Sequence, residues 1–248
     1  ILKFYIYNIL MKTFLFLTLL NNVFSWRFIP IKKIESPKSK CKLISISPAG
    51  FYGLYTLGIS SFIKENYNLK EFNYLGASSG SWVCLLSCYK HNNFNLVSDL
   101  INQEFIKNPK SAFYIQSCLK SYLLDKYTTD DFNLNKLYIS LSHFKNFKLS
   151  NLIFNNFTSL PDAIDCCIAS SHIPFITSNS LLKIYKGKIV FDGGFTDFPP
   201  KSVNSYFVIK SDSFNYSDVN SAFFGLVTKN ISKLIASNNY NNGYKNSI

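Results

Sequence analysis

The sequence predicts an α/β protein with three layers, α/β/α, around a mostly parallel central sheet. Two short apolar strands, 42–47 and 72–75, are each followed by a turn of small residues and then by a helix. Repeated units of strand, turn and helix are typical of parallel sheets, because the helix returns the chain across the sheet. The chain has 248 residues, of which 47% are hydrophobic, so one sizeable core can form.

The remaining elements follow from apolar spacing and turn residues. The first two helices are predicted from about Leu54 to Glu65 and from about Ser81 to Tyr89. A later helix has Ser159 as its N-cap and Pro161 in its first turn. The other predicted elements are helical segments at 96–106 and 113–124, paired strands at 136–144 and 146–154, that later helix at 159–173, a hairpin at 181–194 and a strand at 205–210.

Two N-terminal segments precede the predicted domain, which spans 41–248. Residues 1–25 contain upstream sequence and, from Met11, a run that predicts a secretory signal peptide with cleavage after Ser25. An uncleaved N-terminal anchor is the alternative. Residues 26–40 form a basic linker or a second targeting segment. We expect entry into the secretory route, towards the endoplasmic reticulum, a lipid droplet or secretion, or into a plastid through a two-part leader, with peripheral membrane association.

The chain is strongly basic, with a formal net charge of +12. Nucleic acid, an anionic membrane surface or an acidic substrate could each use this charge. The sequence has no helix-turn-helix, zinc or RNA-binding signature, so we expect no nucleic-acid partner. The six cysteines lack metal-ligand spacing, and most of them are expected to be core residues. No metal and no organic cofactor are expected.

A run of small residues, Gly76-Ala77-Ser78-Ser79-Gly80, separates the second strand from its helix. It fits the pattern G-x-S-x-G, in which a strained turn raises a serine and small neighbours let other backbone segments pass closely. The helix that follows directs its N-terminal amides towards negative charge at the turn. We interpret this stretch as a nucleophile elbow with Ser78 as the nucleophile. An ordinary strand-to-helix turn is the alternative.

A nucleophilic serine needs a base, and histidine and carboxylate side chains are the candidates. The chain contains His91, His143 and His172, and none of them lies in a segment that suggests a catalytic role. Asp192 directly follows an apolar strand and precedes Gly193 and Gly194. An aspartate at the carboxyl edge of a parallel sheet stands where α/β sites are built. A plain Asp-Gly hairpin turn is the alternative.

The strand-to-helix turn before the serine, "SPAGFYG" at 47–53, offers backbone amides close to the expected site. Such amides could hold the oxyanion that forms when Ser78 attacks an ester. Ala49 and Gly50 can donate amides, whereas Pro48 cannot. A glycine-containing turn without this role is the alternative.

These turns, in this order, resemble the patatin-like phospholipase family, and most of all its adipose-triglyceride-lipase-like branch. The resemblance covers about 42–246 and is carried by "GFYGLYTLGI" (50–59), "YLGASSGSW" (74–82), "LYISLS" (137–142), "IASSHIPF" (168–175), "FDGGFTDFPP" (191–200) and "NNYNNGY" near the end. It implies a Ser78–Asp192 dyad without histidine. It also implies an oxyanion hole on backbone amides of the 48–53 loop: Ala49, Gly50, Phe51 and Gly53. The family prefers glycine at the positions of Pro48 and Ala49.

The function implied by this resemblance is a lipid acyl hydrolase of the triacylglycerol lipase or phospholipase A type, which cleaves esters through an acyl-serine intermediate. The expected partner is a lipid substrate at a membrane or lipid-droplet surface. The same dyad would serve an acyltransferase, in which an alcohol replaces water. A catalytically idle lipid-binding protein with the same fold is a further alternative.

Overall fold

The computed structural model describes residues 42–145 and 148–210. In this part of the chain the strands form one seven-stranded sheet: β1 (Lys42–Ile46), β2 (Phe72–Ala77), β3 (Leu137–Lys145), β4 (Lys148–Phe154), β5 (Lys183–Tyr185), β6 (Lys188–Phe191) and β7 (Phe207–Ile209). The helices are α1 (Gly53–Asn66), α2 (Ser79–Ser87), α3 (Asn93–Ile101), α4 (Glu104–Lys107), α5 (Ala112–Lys126) and α6 (Leu160–Ser170). The predicted leader segments and the C-terminal "NNYNNGY" lie outside the described residues.

Four neighbouring parallel strands form the centre of the sheet. Their order is β7-β1-β2-β3, and each pair of neighbours is parallel. The direction changes at β3, because β4 and β6 both pair antiparallel with it. β5 pairs antiparallel with β6 and therefore runs in the same direction as β3. Most strands thus share one direction and helices flank the sheet, so the predicted α/β/α class is confirmed.

Burial on both faces explains why the central strands are apolar runs. Leu43 to Ile46 of β1 are all buried, as a parallel strand inside an α/β sheet must be. Helix α2 packs on β1, β2 and β3, and every residue from Gly80 to Ser87 is buried. Helix α6 begins as predicted, with the Ser159 hydroxyl accepting the Asp162 amide and Pro161 in the first turn. These two helices cover the part of the sheet that holds the candidate site.

The cysteines of the described residues are free thiols, and most of them lie in the core. Cys84, Cys88, Cys166 and Cys167 are buried, and Cys118 is half-buried. Burial raises the pKa of the Cys88 thiol to about 12, so this side chain stays protonated and unreactive. The prediction that most cysteines are core residues is confirmed for these positions.

Strand β3 holds the ends of two other strands on one of its edges. β2 pairs with residues 137–140 and ends with Ala77 opposite Ser140. β6 ends with Phe191 opposite Ser142. β4 pairs with 139–145 and therefore occupies the other edge along the whole of this stretch. Because β2 and β6 share an edge and stop two positions apart, the residues that follow them are brought together.

The direction of β6 corrects one expectation. We expected Asp192 at the carboxyl edge of a parallel sheet, whereas the strand that precedes it, β6, is antiparallel to β3. The cause is the predicted hairpin turn, in which Lys186 and Gly187 both have positive φ, 46° and 72°. The turn reverses the chain after β5, so β6 approaches the carboxyl end of β2 from the opposite direction.

The helical segment predicted at 96–106 is also corrected. It consists of two helices, α3 and α4, since Gln103 has an extended backbone with φ −67° and ψ 143°. The apolar spacing continues across this break, which is why the sequence suggested a single helix. The paired strands and the last strand are present, although β7 is shorter than predicted.

Candidate active site

Ser78 lies in the sharp turn between β2 and α2. Its backbone has φ 54° and ψ −131°, a conformation that non-glycine residues adopt only where the surrounding structure enforces it. The side chain is 7% exposed, so the hydroxyl is nearly enclosed by protein. A strained, buried serine at a strand-to-helix turn has the geometry predicted for an elbow.

Two glycines of the turn are required by space. A Cβ on Gly76 would lie 2.3 Å from the carbonyl oxygen of Gly80. A Cβ on Gly80 would lie 2.2 Å from the carbonyl oxygen of Ile46, at the end of β1. Residues 76–80, which we call the serine turn, therefore pack backbone against backbone and against β1. Ala77 and Ser79 complete the turn as the last residue of β2 and the first of α2.

Asp192 is the side-chain partner of Ser78. The Ser78 hydroxyl donates a hydrogen bond to Asp192 Oδ2 at 2.6 Å. The other carboxyl oxygen, Oδ1, accepts the Gly194 amide at 2.7 Å. The Asp192 amide donates to the carbonyl of His172 at 2.8 Å. One carboxyl oxygen is thus fixed by the Asp-Gly-Gly turn, and the other faces the serine.

Gly193 allows this turn to approach the sheet. A Cβ at this position would lie 2.3 Å from the Ser140 carbonyl oxygen and 2.8 Å from Ala77 Cβ. Both contacts lie where β2 leaves β3. The absence of a side chain on Gly193 therefore lets the turn pack against β3 at the point where its pairing with β2 ends.

The environment of Asp192 shifts its acidity. The side chain is almost fully buried, and this burial raises the pKa of the carboxyl to about 6. Hydrogen bonds from Ser78 and Gly194 act in the opposite direction and limit the shift. A carboxylate with a pKa near 6 is ionised at neutral pH and is a stronger base than an ordinary aspartate. It can accept the proton of a serine that attacks a carbonyl carbon.

Further serines hold the backbone of Ser78. Its amide donates to Ser170 Oγ at 2.9 Å, and Ser170 in turn donates to the Ser140 carbonyl at 2.7 Å. Its carbonyl accepts the amide and the hydroxyl of Ser81. The sequence analysis missed these supports. Ser170 lies in "IASSHIPF", so the motif gave a signal, but nothing in it distinguished this serine from its neighbours.

The first glycine loop, residues 47–53, lies next to the serine turn. The Ala49 amide donates to Ser79 Oγ at 3.0 Å, and the Gly53 amide donates to the Gly50 carbonyl. These two predicted oxyanion donors are thus engaged within the chain. The amides of Gly50 and Phe51 begin a 3₁₀ turn, which supplies no acceptor to its first residues. They are the better placed candidates, and the oxyanion role stays a prediction.

Pro48 lies against the Asp-Gly-Gly turn. A Cβ on Gly194 would lie 3.2 Å from both Cβ and Cγ of Pro48. The proline ring therefore packs beside the residue whose amide holds Asp192. Pro48 precedes the 3₁₀ turn, so the amide it lacks is not one of the two that begin that turn.

The three histidines contact other groups than Ser78. His172 is 1% exposed, and its ring nitrogens face the Ser178 hydroxyl at 3.2 Å and the Leu181 carbonyl at 3.4 Å. Burial lowers its pKa. His143 Nδ1 lies 2.9 Å from the Ile189 carbonyl, and His91 is exposed beside Asp131. The contribution of His172 to the site is its backbone carbonyl, which accepts the Asp192 amide.

Residues 42–145 and 148–210 contain neither a cluster of metal ligands nor a helix that could span a membrane. No group of three or more histidine, cysteine, aspartate or glutamate side chains is arranged to hold a metal ion there. No helix of the same residues combines the length and apolarity needed to cross a bilayer.

Comparison with known proteins gives only a distant likeness. No family model matches the chain, and no curated protein matches it significantly. One solved structure that resembles it is the heterodimeric complex ExoU–SpcU from the type III secretion system of Pseudomonas aeruginosa, with a TM-score of 0.33 and 11% identity. The match covers 83% of this chain and 52% of that one, so this chain spans about half the length of its neighbour. A likeness of this size leaves the function to be inferred from the site.

Proposed function

We propose that the chain is a serine-dependent lipid acyl hydrolase in which Ser78 is the nucleophile and Asp192 the base. The observation that carries this proposal is the 2.6 Å hydrogen bond from Ser78 Oγ to Asp192 Oδ2, made by a serine with φ 54° at a strand-to-helix turn. A strained nucleophile in contact with a buried base is the general requirement for covalent ester hydrolysis.

The chemistry divides into two half-reactions. Asp192 accepts the hydroxyl proton while Ser78 Oγ bonds to the ester carbonyl carbon, and the amides of Gly50 and Phe51 stabilise the oxyanion. The intermediate collapses, the carbon–oxygen bond of the alcohol breaks, and Asp192 returns its proton to the departing alcohol. Asp192 then deprotonates a water molecule that attacks the acyl-serine. The free fatty acid leaves and the Ser78 hydroxyl is restored with its proton.

A lipid ester is the substrate class that the chain favours. The basic charge of +12 suits an anionic surface, and exposed apolar side chains follow α6 close to Asp192 in sequence. The resemblance to patatin-like phospholipases supports the same class. An alcohol in the place of water would convert the same acyl-enzyme into a transferase, and product analysis with an added acyl acceptor separates the two reactions.

The test is labelling by a fluorescent fluorophosphonate, which reacts with activated serines and needs no lipid. We expect the parent protein to be labelled and Ser78→Ala to be unlabelled. The labelling rate of Asp192→Asn should fall by about 10²-fold or more, because a general base contributes at least this factor. Ser117→Ala is the matched control, since Ser117 is an exposed serine on α5 whose hydroxyl donates to the Phe113 carbonyl and not to a site residue. Each variant is checked by thermal unfolding.

Absence of labelling in the folded parent would overturn the proposal and favour the catalytically idle lipid-binding alternative. Labelling that persists in Ser78→Ala would assign the reactive serine elsewhere. Hydrolysis is then measured on a soluble short-chain ester and on lipid vesicles, with free fatty acid as the readout.

A further inference from the structure

The segment from 173 to 191 leaves the candidate site and returns to it. It begins after His172, whose carbonyl accepts the Asp192 amide at 2.8 Å, and it ends with β6 directly before Asp192. A single backbone hydrogen bond therefore closes both ends of this stretch beside the proposed base. We call it the 173–191 segment.

The segment exposes an unusual amount of apolar surface. Half of the eight large apolar side chains that are exposed in the described residues belong to it: Phe175 (39%), Leu181 (43%), Leu182 (49%) and Ile184 (68%). Single exposed apolar residues are ordinary, but concentration in one short segment beside a site indicates a binding surface. Ile184 lies on β5, an edge strand of the sheet, and points away from the core that buries its neighbour Tyr185.

The backbone that presents these side chains is held by side-chain hydrogen bonds. Thr177 Oγ1 donates to the Ser171 carbonyl at 2.7 Å and accepts the Ile173 amide at 2.8 Å. His172 contacts Ser178 and the Leu181 carbonyl, as described above. Phe175 itself has φ 62°, a conformation that a bulky residue adopts only when its surroundings impose it. The fold thus holds the exposed side chains outward instead of leaving them to collapse onto the core.

The charge of the segment identifies the chemistry of its partner. It contains three lysines and no acidic residue. Lys186 is paired with Asp162 at 2.8 Å, whereas Lys183 and Lys188 have no acidic partner among the described residues. Apolar side chains interleaved with unpaired lysines match the interface of an anionic bilayer, where acyl chains lie beneath phosphate groups.

We propose that the 173–191 segment docks the protein on an anionic phospholipid membrane. Phe175, Leu181, Leu182 and Ile184 enter the boundary between headgroups and acyl chains, while Lys183 and Lys188 contact the phosphates. This inference rests on the proposed function, because it names the surface from which a lipid ester reaches Ser78. Docking would place the two ends of the segment, and therefore Asp192, next to the membrane.

The experiment is co-sedimentation of the full chain with vesicles of phosphatidylcholine, with or without phosphatidylserine. All proteins carry Ser78→Ala, so that the vesicles stay intact. We expect binding to require phosphatidylserine. Lys183→Gln/Lys188→Gln should weaken it about thirtyfold, the factor that two surface lysines contribute. Leu182→Ser/Ile184→Ser should also weaken binding to the vesicles that contain phosphatidylserine.

Two control variants remove lysines and large exposed apolar side chains outside the segment. Lys70→Gln/Lys110→Gln removes two exposed lysines elsewhere, and Tyr67→Ser/Phe113→Ser removes two exposed aromatic side chains. Both control proteins should bind as the Ser78→Ala protein does. Phe175→Asn is a further docking variant, because asparagine tolerates positive φ and removes the ring without straining the backbone. It keeps the proposal testable where the double variants fail to fold.

The outcomes separate docking from catalysis. If the docking variants bind vesicles like the controls, the docking proposal is wrong, whatever the fluorophosphonate result. If they lose binding while the Ser78-containing parent is not labelled, docking stands and the proposed reaction is wrong. A docking variant that binds normally but unfolds at lower temperature would also contradict docking, because its side chains would then stabilise the fold and not contact lipid.

Discussion

The serine turn and the first glycine loop are neighbours that are held in different ways. In the serine turn, glycines are needed because Gly76 and Gly80 touch backbone oxygens that a Cβ would overlap. In the first glycine loop, Gly50 is exposed and nothing lies within 4 Å of the position of a Cβ. Its φ of 53° is the reason for glycine there.

The difference shows that glycine can be required for two physical reasons, close packing of the backbone or a positive φ angle. A glycine fixed by close packing cannot be replaced without moving backbone, whereas a glycine fixed by its dihedral angle can be replaced at the cost of local strain. The glycines of the serine turn are therefore packed inside the protein, whereas Gly50 lies at the surface of the loop that offers the candidate oxyanion amides. This contrast can be tested directly.

The largest effect is expected from alanine at the two glycines. Gly76→Ala should destabilise the protein by more than about 3 kcal/mol, because overlap with a backbone oxygen at 2.3 Å exceeds ordinary overpacking. Gly50→Ala should cost about 1–2 kcal/mol, the strain of an L-residue in the left-handed region. Urea unfolding monitored by circular dichroism measures both. Equal losses would contradict the distinction.

The second prediction concerns how the rate of ester hydrolysis depends on pH through the buried Asp192. The proposed base acts in its ionised form and its pKa is raised to about 6, so hydrolysis of a soluble ester should fall about tenfold per pH unit below 6. The first five residues of the glycine loop, 47–51, contain no titratable side chain that could produce this limb. An acidic limb near pH 4 would contradict the burial effect on Asp192.

Stability should respond to pH in the opposite direction. A carboxyl whose pKa is raised in the folded protein, here from an ordinary value of 3.8 to about 6, favours folding when protonated, and this contribution is lost as pH rises from about 4 to 6. Asp192→Asn should therefore raise the unfolding temperature at neutral pH, with a smaller gain below pH 4. The charge that the proposed base needs would therefore lower the stability of the fold.

The smallest effect on activity is expected from His172→Ala. Its ring bonds to Ser178 and the Leu181 carbonyl, so the variant should lose about 1–3 kcal/mol of stability while fluorophosphonate labelling of Ser78 changes less than about tenfold. His91→Ala, at an exposed position, is the control. Loss of labelling in His172→Ala with an unchanged thermal transition would replace the dyad by a histidine-dependent site.

Much of this arrangement could be predicted from local sequence. Buried parallel strands are continuous apolar runs, so β1 and β2 were evident, and Ser159 with Pro161 marked the start of α6. The pairing of Ser78 with Asp192 was implied by the resemblance to a known family, and the small residues of both turns indicated only that a close approach was possible. The strands and the start of the helix depend on a few adjacent residues, which is why a single sequence reveals them.

Other features depend on partners far along the chain. The hairpin turn makes β6 antiparallel to β5, but the pairing of β6 with β3 joins segments far apart in the sequence, and no local pattern encodes it. The hydrogen bonds of Ser170 join the end of α6 to the backbone of Ser78 and Ser140, and serine is too common to signal such a role. The hydrogen bonds that the Ala49 and Gly53 amides donate depend on the direction of the backbone, which the pattern of side chains does not predict.

The meeting of β2 and β6 on one edge of β3 has a consequence for biosynthesis. Ser78 and Asp192 are 114 positions apart, so a ribosome completes the serine turn well before it adds the base. Contacts between distant parts of a chain form only after the intervening residues have been made and folded. The growing chain therefore carries a serine without its proton acceptor until β6 has paired with β3. The proposed reactivity of Ser78 would therefore arise only after the sheet has assembled.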